Sequence, residues 1–202
     1  MSGIQFVYFD LGSVILKWKD NLRKLAEYTN TDLEKLTEIY MKYDDRSCSG
    51  EITFYEMWEL MKGDLDFIDE DNLDICKLWI ETFSPVEETH QLINELYEQK
   101  IPLGILSNIH SGIYERALGE IIPDVNYDAV VLSCDVKLVK PAPEIFDVAT
   151  KRTKFKRNEI LFVDDHLPNI LSAKAYGWQG VLFDEESPHL SVSDIKKILN
   201  IN

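Results

Sequence analysis

Three aspartates stand at the ends of two short apolar segments, a placement that could support metal chemistry. Asp10 follows residues 4–9, and Asp164 and Asp165 come at the end of residues 160–164. Ligands in an open α/β sheet bind beyond the carboxyl ends of the strands, so these carboxylates are predicted to meet at one edge. They would repel one another there unless a cation lay between them, and their oxygen atoms suit Mg²⁺. A shared metal is the simplest interpretation, although a single aspartate at a strand end is more often a loop residue.

Two further polar residues could belong to the same site. Ser107 ends the apolar segment 103–107, and Ser133 ends the segment 129–133. Considered alone, Ser107 could instead cap a following helix, and a lysine before a proline, such as Lys140, could be a solvated turn residue. His166, beside the double aspartate, is better interpreted as an exposed loop residue than as an acid or base.

The apolar segments predict strands that are buried on both faces of a parallel sheet. Ile4 to Phe9 is β-branched and aromatic without alternation, and similar segments follow at residues 103–107, 129–133, 160–164 and 180–183. Segments with helical periodicity separate them, near residues 111–120, 143–152, 168–176 and 192–199. Strands that alternate with helices predict an α/β fold with three layers.

Residues 20–84 interrupt this alternation with about four helical segments and no convincing strand. We predict that they form a helical cap inserted after the first strand, on a core of residues 1–19 and 85–202. They also carry much of the negative charge, because residues 20–85 hold 17 acidic and 7 basic side chains, a net charge of −10.

Local signals predict where two helices begin. A turn at residues 50–52 precedes a helix from Thr53 to Met61, which Gly63 and Asp64 are expected to end. Ser84, Pro85 and Glu87 have the residue types favoured at the N-cap, first and third positions of a helix.

Composition excludes several classes of protein. The net charge of −15 argues against a nucleic-acid partner, since contacts to phosphates require clustered Lys and Arg. The apolar stretch near the start is far shorter than the roughly 20 residues of a membrane span, and it lacks the features of a signal peptide. The three cysteines have no ligand spacing, so neither a disulfide framework nor a zinc site is indicated. We expect a cytoplasmic monomer or homodimer.

Four short segments in a fixed order resemble the motifs of the haloacid dehalogenase superfamily. The segments are Phe9-Asp10-Leu11-Gly12-Ser13-Val14, Leu106-Ser107-Asn108, Lys140-Pro141 with Pro143-Glu144-Ile145-Phe146, and Phe162-Val163-Asp164-Asp165. Asn169, Ala173 and Gly177 then follow at steps of four, as is common in the subfamily with a helical cap. The resemblance implies a Rossmann-like sandwich with a parallel sheet in the order 3-2-1-4-5.

The resemblance also implies roles for individual residues. Asp10 would be the nucleophile that forms an aspartyl-phosphate, and Ser107 and Lys140 would assist it as catalytic residues. The substrate's phosphoryl group would contact Ser107, Asn108 and Lys140 together with the backbone of Leu11 and Gly12. Mg²⁺ would bind Asp165, a carboxylate oxygen of Asp10 and the carbonyl of Gly12, with Asp164 acting through a metal-bound water. Arg46, in the acidic cap, is a weaker candidate for substrate contact, because lone arginines usually pair with neighbouring carboxylates.

One residue departs from the family pattern. Family phosphatases usually carry a second aspartate two residues after the nucleophile, where it protonates the leaving group, and this chain has Gly12 there. Glycine cannot move a proton, and such help is typically worth about 10²- to 10⁴-fold in rate. Members with Asp-Leu-Gly at this place include sugar-phosphate phosphatases, and one with a similar layout acts on hexose 1-phosphates.

The sequence therefore predicts a Mg²⁺-dependent phosphatase that hydrolyses a small phosphorylated metabolite, possibly a sugar phosphate, through an aspartyl-phosphate. One alternative is a 2-haloacid dehalogenase, which uses the same nucleophile without a metal; the double aspartate and Gly12, in place of an aromatic residue, count against it. The other is a catalytically weak or silent member that acts as a binding protein, which only Gly12 supports.

Overall fold

The computed structural model describes residues 3–18 and 20–201. In chain order the strands are β1 (Phe6–Phe9), β2 (Leu16–Lys17), β3 (Ser84–Pro85), β4 (Leu103–Ser107), β5 (Ala129–Leu132), β6 (Ile160–Asp164) and β7 (Gln179–Leu182). The helices are α1 (Asn21–Thr29), α2 (Leu33–Cys48), α3 (Phe54–Leu65), α4 (Ile75–Ile80), α5 (Glu87–Glu98), α6 (Ile113–Ala117), α7 (Ser133–Val136), α8 (Pro143–Arg152), α9 (Leu167–Tyr176) and α10 (Pro188–Leu199).

Five of the strands form one parallel sheet in the order β5-β4-β1-β6-β7. Counted among themselves these strands have the order 3-2-1-4-5, so the predicted fold class and strand order are confirmed. The strand that carries Asp10 therefore lies at the centre of the sheet, between β4 and β6.

The central strand β1 is covered on both faces. Phe6 and Tyr8 pack with side chains of α8 and α9, whereas Val7 and Phe9 pack in the cluster that contains α5 and α10. Successive side chains of a strand point to opposite faces, so a strand between two helical layers has to be apolar at every position. This explains why the segment before Asp10 shows no alternation.

Helices α1 to α4 follow one another between β2 and β3. Thr53 caps α3 through a reciprocal pair of hydrogen bonds with Glu56, at the predicted start of that helix. The predicted end at Gly63 and Asp64 is wrong, because α3 continues to Leu65 and ends where Asp66 adopts a left-handed conformation. No helix among the described ranges is long and apolar enough to cross a membrane.

Ser84 and Pro85 do not open a helix, which corrects the prediction from the capping pattern. They form β3, which pairs antiparallel with β2, and α5 begins two residues later at Glu87. The N–H of Val86 also donates to the carbonyl of Ile15 over 2.9 Å. Tertiary pairing has overridden a local signal here, and the two chain segments that join α1–α4 to the sheet are held side by side.

Candidate active site

The three aspartates and Lys140 meet at the carboxyl edge of the sheet. Asp10 follows β1 and Asp164 ends the neighbouring β6. Nζ of Lys140 lies 2.9 Å from Oδ2 of Asp10 and 2.6 Å from Oδ2 of Asp164. Carboxylate oxygens of Asp10, Asp164 and Asp165 lie within 4.8 Å of one another. The structure thus brings together four of the residues that sequence reasoning placed in the site.

Lys140 comes from a loop, and Asn108 holds that loop in place. The amide of Asn108 donates to the carbonyl of Lys140 over 2.9 Å, and its oxygen accepts from the N–H of Lys140 over 2.8 Å. Nζ of Lys140 also donates to the carbonyl of Leu106 over 3.0 Å. Asn108 therefore positions Lys140 in this structure, and both ends of its amide are hydrogen-bonded to the backbone, although we predicted a contact to the phosphoryl group.

Asp164 and Asp165 have different surroundings despite being neighbours. Asp164 is fully buried, and its oxygens accept from the N–H of His166 over 2.8 Å, from Asn169 and from Lys140. Asp165 is exposed and hydrogen-bonds with the side chain of Ser13. The oxygens of Asp165 are thus the more accessible to a metal, whereas those of Asp164 are held by the protein.

The charges in this cluster fit a divalent cation. Three carboxylates face one ammonium group, and a cluster of hard oxygen atoms with excess negative charge is the kind of site that Mg²⁺ prefers. Asp10 and Asp165 would supply side-chain ligands. Gly12, whose carbonyl we predicted as a third ligand, lines the same cavity as both aspartates.

The pKa shifts follow from burial and crowding. Burial raises the pKa of Asp10, the nearby charge of Lys140 opposes this, and the charge of Asp164 adds to it. Burial and the charge of Asp164 likewise raise the pKa of Asp165. Burial disfavours the charged form of Lys140, but Asp10 and Asp164 outweigh it and raise the pKa of that ammonium group. An added positive charge would favour the ionised form of both carboxyls.

Asp10 is further oriented by its neighbours on β4 and in its own loop. The N–H of Leu11 donates to Oδ1 of Asp10 over 2.7 Å. Ser107, at the end of β4, is buried and hydrogen-bonds with Asp10. The predicted residues Asp10, Leu11, Gly12, Ser107, Asn108 and Asp165 all line one cavity with a volume of about 510 Å³, which includes its opening to solvent.

Four residues considered from the sequence do not line that cavity: the buried Lys140 and Asp164, and also Arg46 and His166. Nε of Arg46 donates to Glu51 over 2.8 Å, and the arginine side chain is 42% exposed. His166 is exposed at the start of α9 and contributes only its backbone N–H, which donates to Asp164. The structure therefore does not bring Arg46 to the nucleophile.

Sequence reasoning missed most of the cavity wall. Trp18, Trp79 and Phe83 line it, together with Cys48 and His110. These residues lie far apart along the chain and share no spacing that would link them to Asp10. His110 gave the one local signal, because it follows Ser107 and Asn108 in the loop after β4.

The fold places an aspartate at the end of the central strand of a parallel sheet, beside two further carboxylates and a lysine. The family model described as haloacid dehalogenase-like hydrolase matches residues 9–183. The chain belongs to this family, which confirms the family resemblance.

Relatives with different activities are similar to the chain. It is 23% identical over 111 residues to (S)-2-haloacid dehalogenase 2 of Pseudomonas sp. (strain CBS-3), covering 55% of this chain and 48% of that one. It is 29% identical over 119 residues to ribulose-1,5-bisphosphate 5-phosphatase of Halopiger xanaduensis (strain DSM 18323 / JCM 14033 / SH-6), covering 57% and 50%. The chain therefore spans about half the length of these curated relatives.

A solved structure shares the whole architecture. The HAD family enzyme bt-2542 of Bacteroides thetaiotaomicron, in complex with magnesium and inorganic phosphate, superposes with a TM-score of 0.77 and 20% identity. The match covers 90% of this chain and 95% of that one. At this identity the similarity shows the fold.

Proposed function

We propose that the protein is a Mg²⁺-dependent phosphatase that hydrolyses a small phosphate monoester through an aspartyl-phosphate on Asp10. The observation that carries this proposal is the cluster of Asp10, Asp164 and Asp165, whose oxygens lie within 4.8 Å of one another around a single ammonium group. Carboxylates in excess of the one ammonium group can bind a divalent metal, whose charge would then offset their repulsion of a phosphoryl group. The solved relative that was bound to magnesium and inorganic phosphate is consistent with it.

The residues present can perform both displacements of such a hydrolysis. A carboxylate oxygen of Asp10 attacks phosphorus while the bond from phosphorus to the ester oxygen breaks, and the leaving group departs with that bond's electron pair and takes up a proton. Water then attacks phosphorus, which releases inorganic phosphate and restores Asp10. Covalent catalysis of this kind divides one difficult step into two easier ones.

The other residues of the site position groups and balance charge. Lys140 neutralises charge at Asp10, the group that would receive the phosphoryl group, and the hydroxyl of Ser107 can donate to phosphoryl oxygens. Mg²⁺, when bound, would neutralise further charge on the transferring group. Hydrogen bonds with Asn108 and Asp164 position Lys140 beside the nucleophile.

A 2-haloacid dehalogenase is the second candidate, and the similarity to (S)-2-haloacid dehalogenase 2 favours it. Two observations weigh against it in this chain. A dehalogenase without a metal would leave three carboxylates facing one lysine. In addition, the charged residues that line the cavity are Asp10 and Asp165, which would repel the carboxylate of a 2-haloacid.

The test measures both activities on one preparation. With Mg²⁺ we expect phosphate release from a chromogenic aryl phosphate, its loss in chelator and its recovery on adding Mg²⁺ again. Asp10→Asn should abolish turnover, whereas the matched control Asp194→Asn, an exposed carboxylate on α10, should retain it. Halide release from 2-chloropropionate in chelator would instead support the dehalogenase. Absence of phosphate release from every ester with Mg²⁺ would overturn the proposal and favour the catalytically silent alternative.

A further inference from the structure

We infer that the cavity above Asp10 accepts a compact apolar group, such as a single aromatic ring, and not a polyhydroxylated or doubly charged metabolite. This inference rests on the proposed function and names the class of its substrate. Trp18 is assigned as the residue that determines the preference. Three features of the cavity support it: an apolar wall, polar side chains that are hydrogen-bonded within the protein, and negatively charged lining residues.

Much of the cavity wall is built from apolar side chains. Trp18 and Leu16 come from the segment after β1, Trp79 and Phe83 from α4 and the residues after it, and Ile113 from α6. Aromatic side chains provide large flat surfaces that favour contact with another ring. A sugar would bury its hydroxyls against these surfaces without partners, which is unfavourable.

Two polar groups in the wall, the amide of Asn108 and the ring of His110, are already hydrogen-bonded within the protein. Both ends of the Asn108 amide bind the backbone of Lys140. Nδ1 of His110 lies 2.9 Å from the hydroxyl of Ser47, and its Nε2 lies 2.8 Å from the hydroxyl of Tyr40.

The thiol of Cys48, another polar group of the wall, lies 3.7 Å from Oδ1 of Asp44. A hydroxylated leaving group would compete with these bonds for its own partners.

The charges of the cavity oppose a second anionic group on the substrate. Its charged lining residues are Asp10 and Asp165, and burial lowers the pKa of His110 to about 3, so that this ring is neutral near pH 7. Lys140 is engaged by Asp10 and Asp164, and Arg46 by Glu51. Within the described wall, a second phosphate or a carboxylate would find no unpaired cation.

The position of Trp18 suits a residue that contacts the leaving group. Its side chain is half exposed, lines the cavity and packs against Gly12, two residues after the nucleophile. The indole ring is therefore placed to contact the leaving group of a phosphate held at Asp10.

Binding of phosphonates tests this inference. Their phosphorus–carbon bond is stable, so the result does not depend on the reactivity of a leaving group. The dissociation constants of benzylphosphonate, 2,3-dihydroxypropylphosphonate and phosphonoacetate are measured by calorimetry with Mg²⁺ present. We expect benzylphosphonate to bind at least about tenfold more tightly than the other two, because burying a ring removes apolar surface from water. Trp18→Ala should reduce this preference by about 3- to 10-fold, and Trp18→Phe should retain most of it.

The matched control is Tyr97→Ala, which removes an exposed aromatic ring from α5 outside the cavity and should leave all three constants unchanged. Equal binding of the three phosphonates to the wild-type protein would overturn the inference, as would an equal loss for all three in Trp18→Ala. These outcomes are separate from a failure of the proposed function. If the protein preferred benzylphosphonate but had no phosphatase activity, the inferred substrate preference would stand and the proposed function would be wrong. If it had phosphatase activity without this preference, the proposed function would stand and the inferred preference would be wrong.

Discussion

The indole ring of Trp18 lies directly against Gly12. A β-carbon on Gly12 would stand 3.1 Å from Cε2 of Trp18, closer than an ordinary van der Waals contact. The ring thus fills the place where family phosphatases usually carry the acid that protonates the leaving group. An indole can donate a hydrogen bond through its N–H, but it cannot transfer a proton near neutral pH.

The first prediction concerns the acidity of the leaving group. Without a carboxylic acid at residue 12, the bond to the leaving group must break with little protonation, so rates should rise steeply as the leaving group becomes more acidic. A series of substituted phenyl phosphates, compared by kcat/KM, checks this. Simple primary alkyl phosphates should be poor substrates. A flat dependence on leaving-group pKa, with formation of the aspartyl-phosphate shown to limit the rate, would contradict the prediction.

The second prediction follows from the two hydrogen bonds between Asn108 and the backbone of Lys140. Asn108→Ala should lower the free energy of unfolding by about 1–3 kcal/mol, because it leaves buried backbone groups of Lys140 unpaired. It should also lower kcat, since Lys140 is no longer held beside Asp10. Urea denaturation and steady-state kinetics measure the two effects, with Asn94→Ala on the exposed face of α5 as the control. Loss of stability with unchanged kcat would show that Lys140 needs no such support.

The third prediction concerns acid stability and His110. Burial lowers the pKa of His110 from 6.5 to about 3, and this outweighs the carboxylate of Asp44, whose Oδ1 lies 3.5 Å from Nε2. The unfolded chain therefore binds a proton at His110 below about pH 6.5 that the folded protein does not bind. The free energy of unfolding is therefore unaffected by protonation of His110 above pH 6.5. It decreases progressively as the pH falls from 6.5 towards 3, because the proton binds only to the unfolded chain.

Unfolding free energies measured at pH 7.5 and 5.5 should differ by about 1 kcal/mol on account of this group. His110→Asn should lose that part of the pH dependence, whereas His189→Asn, at an exposed position of α10, should keep it. An unchanged pH dependence in His110→Asn would show that Asp44 supports the protonated ring in the folded protein.

The aspartates and Ser107 could be predicted because parallel strands end at one edge of a sheet. Asp10, Ser107 and Asp164 each close an apolar strand, and their meeting follows from topology alone. Lys140 could not be found that way. It lies in a loop, its connection to the site depends on Asn108, and only the resemblance to family motifs identified it.

The cavity wall and one chain connection depend on tertiary structure, so local patterns could not predict them. Trp18 and Trp79 both line the cavity although α1, α2 and α3 lie between them in the chain, and the pairing of β2 with β3 brings together the strands that flank this segment. The same pairing placed Ser84 in a strand although its sequence context favoured a helix N-cap. Arg46, which we considered as a substrate contact because it is an arginine in the acidic segment, pairs instead with the carboxylate of Glu51, five residues along the chain.

The last prediction restores the missing acid. Gly12→Asp places a carboxyl group two residues after the nucleophile, and the backbone at residue 12 permits a side chain because it is not among the positive-φ positions. The new β-carbon would press on the ring of Trp18, which is 43% exposed and able to move only at the expense of the cavity wall. We therefore expect a small gain with primary alkyl phosphates from Gly12→Asp alone. The double variant Gly12→Asp/Trp18→Ala should give a larger gain, about tenfold over Trp18→Ala.

The control for this experiment is Gly12→Asn/Trp18→Ala, which has nearly the same shape but cannot transfer a proton. Rates with one primary alkyl phosphate and one aryl phosphate are compared across the set, together with the burst of leaving group before steady turnover. The gain should be confined to the Asp variants and to the alkyl ester, because a phenol departs readily without a proton. The burst should shrink in the same variants, since the carboxylate can also activate the water that attacks the aspartyl-phosphate. If the Asn and Asp double variants hydrolyse the alkyl ester equally fast, another residue already supplies the proton. The contact between the indole of Trp18 and Gly12 would then not explain a preference for acidic leaving groups.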